Sequence, residues 1–231
     1  MNKNFGNFGI NKSFYSFAGV INYSSALEIQ ERIVFKSDEL FRKYGIRGVT
    51  MDDIARQIGV SKKTIYQFFP DKDELIMAVT RFNLDANERE VKCCSGMEAD
   101  NAVDEMIKAI DSLTNMMQGY NPVMFYDLQK YHPKAWQLFA DFKSTFLFNT
   151  ICANLERGIR EGLYRNDFDM EIVALMRLEQ IDMGFKLEVF PPARYQITKV
   201  MAQLTEHFLY GVVTLKGHKL VNNYRNLKEE E

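Results

Sequence analysis

The 231-residue chain is poor in the groups that build chemical centres. Its three cysteines, Cys93 and Cys94 side by side and Cys152 far away, make neither a disulfide framework nor a CxxC metal pattern. The three histidines, His132, His207 and His218, share no ligand-like spacing with one another or with the cysteines, so no metal and no cofactor is expected. No His–carboxylate pair, nucleophile motif or phosphate loop stands out, which argues against an enzyme. Apolar runs of the ~18 residues that span a bilayer are missing, as is a basic N-terminal segment leading into an apolar one, and a cytoplasmic protein follows with no membrane partner. Charge of one sign is missing too. With 29 Lys+Arg against 31 Asp+Glu the formal net charge is -2, so any attraction to nucleic acid must be local. Strand signals are absent, and the expected fold class is all-α.

What is present is an ordinary globular composition, 46% hydrophobic and 26% charged, enough for a small domain joined to a larger one. Residues 1–26 mix Asn, Ser and Gly with isolated aromatics, without helical period, and read as a disordered or loosely docked extension whose Lys3 and Lys12 could reach DNA. From Leu27 to Tyr44, Ile29, Ile33, Leu40, Phe41 and Tyr44 form the apolar face of a helix. Then comes GIRGVTMDDIARQIGVSKKTIYQFFPDKDEL. Thr50 precedes Met51, Ile54, Ala55 and Ile58, an i, i+3, i+4, i+7 stripe with a capping residue in front. Gly59 supplies a sharp exit, Ser61 caps a second short helix holding Ile65, Phe68 and Phe69, and Pro70 opposes its continuation. Two short helices across a glycine turn read as helix-turn-helix.

At ~100° per residue Lys63, Tyr66 and Gln67 fall opposite Ile65, Phe68 and Phe69, with Lys62 and Thr64 flanking them. A lysine, a phenol and an amide on one face combine a phosphate-neutralising charge with groups that can bond base edges or backbone oxygens. A solvated helix face is the plain alternative. Asp71 can cap the following helix, where Lys72 sits against the dipole preference, a placement that a nearby phosphate would explain.

Beyond residue 98 the periodicity is helical almost throughout. Val103, Met106, Ile107, Ile110, Leu113 and Met117 define one helix, and Met124, Phe125 and Leu128 mark a short one. Pro133 opens a long one ending near Gly162, and two more are expected over about 170–190 and 195–215, separated by Pro191 and Pro192. Met and Phe are abundant here, and a pocket for an apolar or aromatic ligand could be lined by Met116, Met117, Phe125, Tyr126, Trp136, Phe139 and Phe146, each of which could equally be plain core. Ile197, Val200, Met201, Leu204, Phe208 and Val212 form a clean stripe on the last long helix.

The segments ERIVFKSDELFRKYGIRG, VTMDDIARQIGVSKKTIY and TIYQFFPDKDEL resemble, in order, the DNA-binding unit of TetR-type bacterial repressors, and LERGIREGLYRNDFD resembles the loop between the two central body helices of that family. The resemblance implies about nine helices, a DNA-binding domain over 27–82 and a ligand-binding and dimerisation domain over 83–231. It implies DNA contacts by Thr50, Ser61, Lys62, Lys63, Thr64, Tyr66, Gln67 and Lys72, and the 197–212 stripe as half of a four-helix dimer interface rather than internal core. The implied protein is a homodimeric repressor released from a palindromic operator by a small molecule. A helix-turn-helix that only binds protein, and an activator without an effector, stay open.

Overall fold

The computed structural model describes residues 26–94, 99–117, 121 and 123–224. The extension expected at the N-terminus, with Lys3 and Lys12, lies outside them up to residue 25. The chain is all-α. Its helices are α1 (Ala26–Tyr44), α2 (Met51–Ile58), α3 (Lys62–Phe68), α4 (Lys72–Cys94), α5 (Ala102–Met117), α6 (Val123–Tyr131), α7 (Pro133–Phe142), α8 (Phe148–Arg160), α9 (Met170–Gly184), α10 (Ile197–Val212) and α11 (Leu215–Tyr224). One π-helical stretch, Lys143–Leu147, joins α7 to α8 without a break. There Thr145 Oγ1 donates to the Asp141 carbonyl at 2.6 Å and Ser144 Oγ to the same oxygen at 3.2 Å, competing with the regular ladder. Among the described residues the only β pairing is an isolated bridge between Tyr164 and Val213.

Two cores hold the molecule together. The first gathers Ile33 and Phe41 from α1, Ile54 and Ile58 from α2, Ile65 from α3 and Leu75, Ile76 and Val79 from α4, and it also takes in Met124, Leu128 and Ala135 from α6 and α7. The division expected at 82/83 therefore falls inside α4, and the first core reaches across it. The second core joins α5, α8, α9, α10 and α11 through Val103, Leu155, Tyr164, Leu178, Phe208 and Val221. Gly162, at φ 68, stops the helix that began at Pro133. A Cβ at Gly158 would meet the Tyr164 ring at 2.1 Å, so the ring can fold back onto α8, where its hydroxyl lies 3.0 Å from the Ala102 carbonyl oxygen.

The C-terminal third differs from expectation in two boundaries. Helix α9 stops at Gly184 rather than near 190; a Cβ there would come within 2.5 Å of Met201 Cε, so the glycine lets α9 and α10 approach closely. Helix α10 ends at Val212, because Val213 turns extended and pairs with Tyr164. A further helix, α11, then starts at Leu215, with Thr214 Oγ1 accepting from the Gly217 N–H at 3.2 Å. Counting 133–160 as one rod, ten helices are seen among the described residues.

Candidate nucleic-acid interface and body cavity

Helix α2 is fixed at both ends. Thr50 Oγ1 accepts from the Asp53 N–H while Asp53 Oδ2 accepts from the Thr50 N–H at 2.9 Å, a reciprocal capping box. The Thr50 hydroxyl also donates to that carboxylate, holding its pKa below the ordinary carboxylate value. Gly59 at φ 78 ends the helix in the left-handed conformation, donating to the Ala55 carbonyl at 3.0 Å. Ser61 Oγ then accepts from the Thr64 N–H at 3.1 Å and starts α3. Because Ile65 is fully buried, the rotation of α3 is set, and the side chains opposite must face out.

Lys62, Lys63, Tyr66 and Gln67 are exposed and Thr64 is half-buried. The Lys62 ammonium is committed to Asp52 of α2 at 2.8 Å, a contact that raises its pKa. Lys63, Tyr66 and Gln67 have no hydrogen-bond partner among the described residues and project together at i, i+3 and i+4. Thr50 and Ser61 are exposed at their helix N-termini with hydroxyls already bonded within the caps. Lys72 departs from the expectation. Its ammonium turns inward, donating to the carbonyls of Ile46 at 2.7 Å and Val49 at 2.6 Å, so two of its three donors clamp the α1–α2 loop and at most one is left for a phosphate. Burial lowers its pKa.

The head is tied to α6 by contacts that the sequence did not announce. The Arg42 carbonyl accepts from the Asn121 N–H at 2.6 Å, buried Asp127 accepts from the Arg47 N–H at 3.4 Å, and the Arg47 guanidinium lies 4.6 Å from the centre of the Tyr131 ring. His132 Nδ1 stands 2.8 Å from an Asp73 carboxylate oxygen of α4. These pairs join positions 59 to 84 residues apart, a separation that no local pattern encodes.

The pocket residues expected from sequence separate into groups. Phe125 packs on Phe139 at 6.0 Å and on Phe185 at 4.3 Å, and Trp136 on Phe139 at 5.2 Å, forming one aromatic cluster. Trp136 also leans on the first core. Phe146 stacks instead on Phe142, and Tyr126 is surface, 38% exposed, its hydroxyl taken by Lys130 at 2.6 Å. The side chains of Met116 and Met117 lie outside the described residues. Of the expected lining only Phe125 borders the small, partly open cavity of about 30 Å³, whose other walls include Gly184, Phe185, Phe190, Tyr195, Ile197 and Val200. That space holds about one water; a ligand must part the helices to enter. A larger surface groove of about 330 Å³ runs between the π-helical stretch and α9, past Lys143, Phe148, Leu175 and Leu178.

The 197–212 stripe is corrected by the structure. Val200, Met201, Phe208 and Val212 are 2–7% exposed within the single chain, and Ile197 and Leu204 are half-buried. They pack inward on α5 and α9, so most of this stripe is already covered within the single chain. Periodicity identified a buried face correctly but not what covers it. The unpartnered apolar face belongs to α9, where Ile172, Leu175 and Met176 are 57%, 48% and 57% exposed. Apolar residues surround this helix, Ala174 and Leu178 turning in and these three out.

Residues 34–79 match the family model described as bacterial regulatory proteins, tetR family. The chain is 28% identical over 108 residues to the HTH-type transcriptional regulator YvaF of Bacillus subtilis (strain 168), covering 47% of this chain and 56% of that protein. It is 26% identical over 147 residues to the HTH-type transcriptional repressor KstR2 of Rhodococcus jostii (strain RHA1), covering 58% and 66%. The matches thus span less than two thirds of each relative. A crystal structure of a transcriptional regulator from Saccharomonospora viridis in complex with choline superposes with a TM-score of 0.67 over 81% of this chain and 99% of that one, at 19% identity.

Proposed function

Taking as premise that the chain is a TetR-family protein, we propose that it is a homodimeric transcriptional repressor that reads a two-fold symmetric DNA site and lets go when a small apolar molecule enters the body. The observation that carries this reading is the outward face of α3: Lys63, Tyr66 and Gln67 stand exposed and unpaired on a helix locked by fully buried Ile65. In a major groove Lys63 and Gln67 reach base edges, Tyr66 bonds a phosphate, and the exposed N-termini at Thr50 and Ser61 lie against the backbone. Lys62 contributes once it leaves Asp52, an exchange that costs little between exposed groups.

Two heads are needed for a palindrome, and the exposed α9 stripe of Ile172, Leu175 and Met176 is the surface best suited to pair with its own copy. Recognition helices about 34–36 Å apart would meet successive major grooves on one side of the duplex. The effector acts only if it prefers a conformation with another spacing. Choline in the Saccharomonospora viridis structure supports the idea that a protein of this fold receives small molecules. The contacts of α6 with the α1–α2 loop and α4 are the path by which a change beside Phe125 reaches the head.

Selection from a pool of random-sequence duplexes tests the reading. The full-length protein should enrich a two-fold symmetric motif, and Gln67→Ala should lose it. No enrichment by the parent, with the protein folded, would overturn the proposal.

A further inference from the structure

Asp127 is a buried carboxylate that neither the DNA-facing surface nor the body cavity uses. It stands on α6 with 4% exposure, between Met124 and Leu128, which belong to the first core. These three are the buried residues of α6, at i, i+3 and i+4, so one face of this helix rests on the head. The hydrogen bond that the carboxylate makes there comes from the Arg47 N–H, at 3.4 Å. Two opposite charges thus hold the α1–α2 loop: the Lys72 ammonium of α4 takes the carbonyls of Ile46 and Val49, and Asp127 takes the N–H of Arg47. Burial lowers the Lys72 pKa, and Asp127 is the strongest of the charges that oppose this shift. Gly45, at φ 76, follows α1 against the same face; a Cβ there would stand 3.7 Å from Asp127 Oδ2 and 3.6 Å from the Asn121 amide nitrogen.

Apolar and ionic contacts act differently at such a joint. Met124 and Leu128 stay covered if the head tilts slightly, because burial of apolar surface has no direction. A buried carboxylate is satisfied only where its donor stands, and a head docked slightly off would keep it covered while lifting the Arg47 N–H away. Helix α4 joins head to body along one axis, and the grip of α6 on the loop is a second point that opposes turning about it. The angle matters to a dimer, since one added base pair moves the far groove by about 3.4 Å, or about 1.7 Å for each of two heads. We propose that Asp127 is a positioning residue that sets the angle of the head on the body, and through it the half-site separation that the dimer accepts. The inference rests on the dimeric DNA-binding reading above and adds what fixes its geometry. The carboxylate contributes less to how firmly head and body hold than to the one angle at which they do.

Selection from random duplexes by the full-length parent, Asp127→Leu and Asp127→Asn tests this, followed by affinities for duplexes whose half-site separation steps by single base pairs. All three proteins should enrich the same half-site sequence, because α3 is untouched. The parent should favour one separation. In Asp127→Leu its advantage over neighbouring separations should fall about three- to tenfold, the net worth of one hydrogen bond. In Asp127→Asn the fall should be smaller, because the amide oxygen still accepts from the N–H but the charge has gone. An affinity lowered equally at every separation would mark the carboxylate as merely structural and overturn the proposal, as would an unchanged separation profile in folded Asp127→Leu. If that variant does not fold, the profile of Asp127→Asn decides in the same way, and failure of both to fold also overturns it. A parent that enriches half-sites at no preferred separation loses this inference and keeps its DNA-reading role; a parent that enriches no duplex loses both.

Discussion

In the head, the cations near the core are matched: Lys72 sits on the carbonyls of Ile46 and Val49, Arg42 on Asp38 at 2.6 Å, and Lys62 on Asp52. In the body, Arg177 lies deeper than any of these and has one hydroxyl and a ring face for company. In the head these cations are held from within, and Lys63 and Gln67 stand exposed on the outside. The body closes α9 on α10 around a single buried cation and leaves one buried side-chain oxygen, Gln180 Oε1, without a hydrogen bond. A regulator of the proposed kind needs this contrast: a reading surface that does not change shape, and an interior whose best-packed state depends on occupancy.

The contrast can be broken at its strongest point first. Ile65→Ala empties the anchor of α3 and should cost about 2–5 kcal/mol of stability in chemical denaturation, together with loss of DNA binding; a cost near zero would mean that α3 is held some other way. Next in size, Lys63→Ala and Gln67→Ala should each weaken binding to a selected duplex by about 1–3 kcal/mol with little change in melting midpoint, because these side chains are exposed and make no hydrogen bond among the described residues. Thr50→Ala should cost about 1 kcal/mol near neutral pH. Asp53 has a depressed folded-state pKa, so the contribution of the capping box is fully present above the ordinary carboxylate value of 3.8 and is lost as pH falls through the lower folded value. The gap between parent and Thr50→Ala should therefore close in acid. On the body side, Leu175→Asp should leave the fold intact, since the side chain is 48% exposed, yet halve the particle mass in sedimentation; an unchanged mass would move the dimer face elsewhere.

The two regions also differed in how far the sequence could be read. In the head the determinants are local: Thr50, Gly59 and Ser61 act on residues within four positions, and Ile65 fixes which way Lys63, Tyr66 and Gln67 point. All of that is visible as spacing. In the body, spacing shows that Val200 and Phe208 are covered but not by which helix, and on α9, apolar all round, it shows no face at all. The second half of the 195–224 region was misdivided because a bridge between Val213 and Tyr164, 49 positions apart, interrupts a pattern that is locally continuous. Arg177 carries no sequence signal either; an arginine among apolar residues looks like any surface arginine until Thr205 and Phe208 are seen to close over it.

The central claim, that one exposed face of α3 reads DNA, is tested most directly by titrating Lys63→Ala and Tyr66→Phe against the parent on a selected duplex over a range of salt. Both variants should bind more weakly at every salt concentration, with shallower salt dependence where a phosphate contact has gone and with the parent's melting midpoint retained. Affinity and salt slope identical to the parent's in both variants would contradict the account.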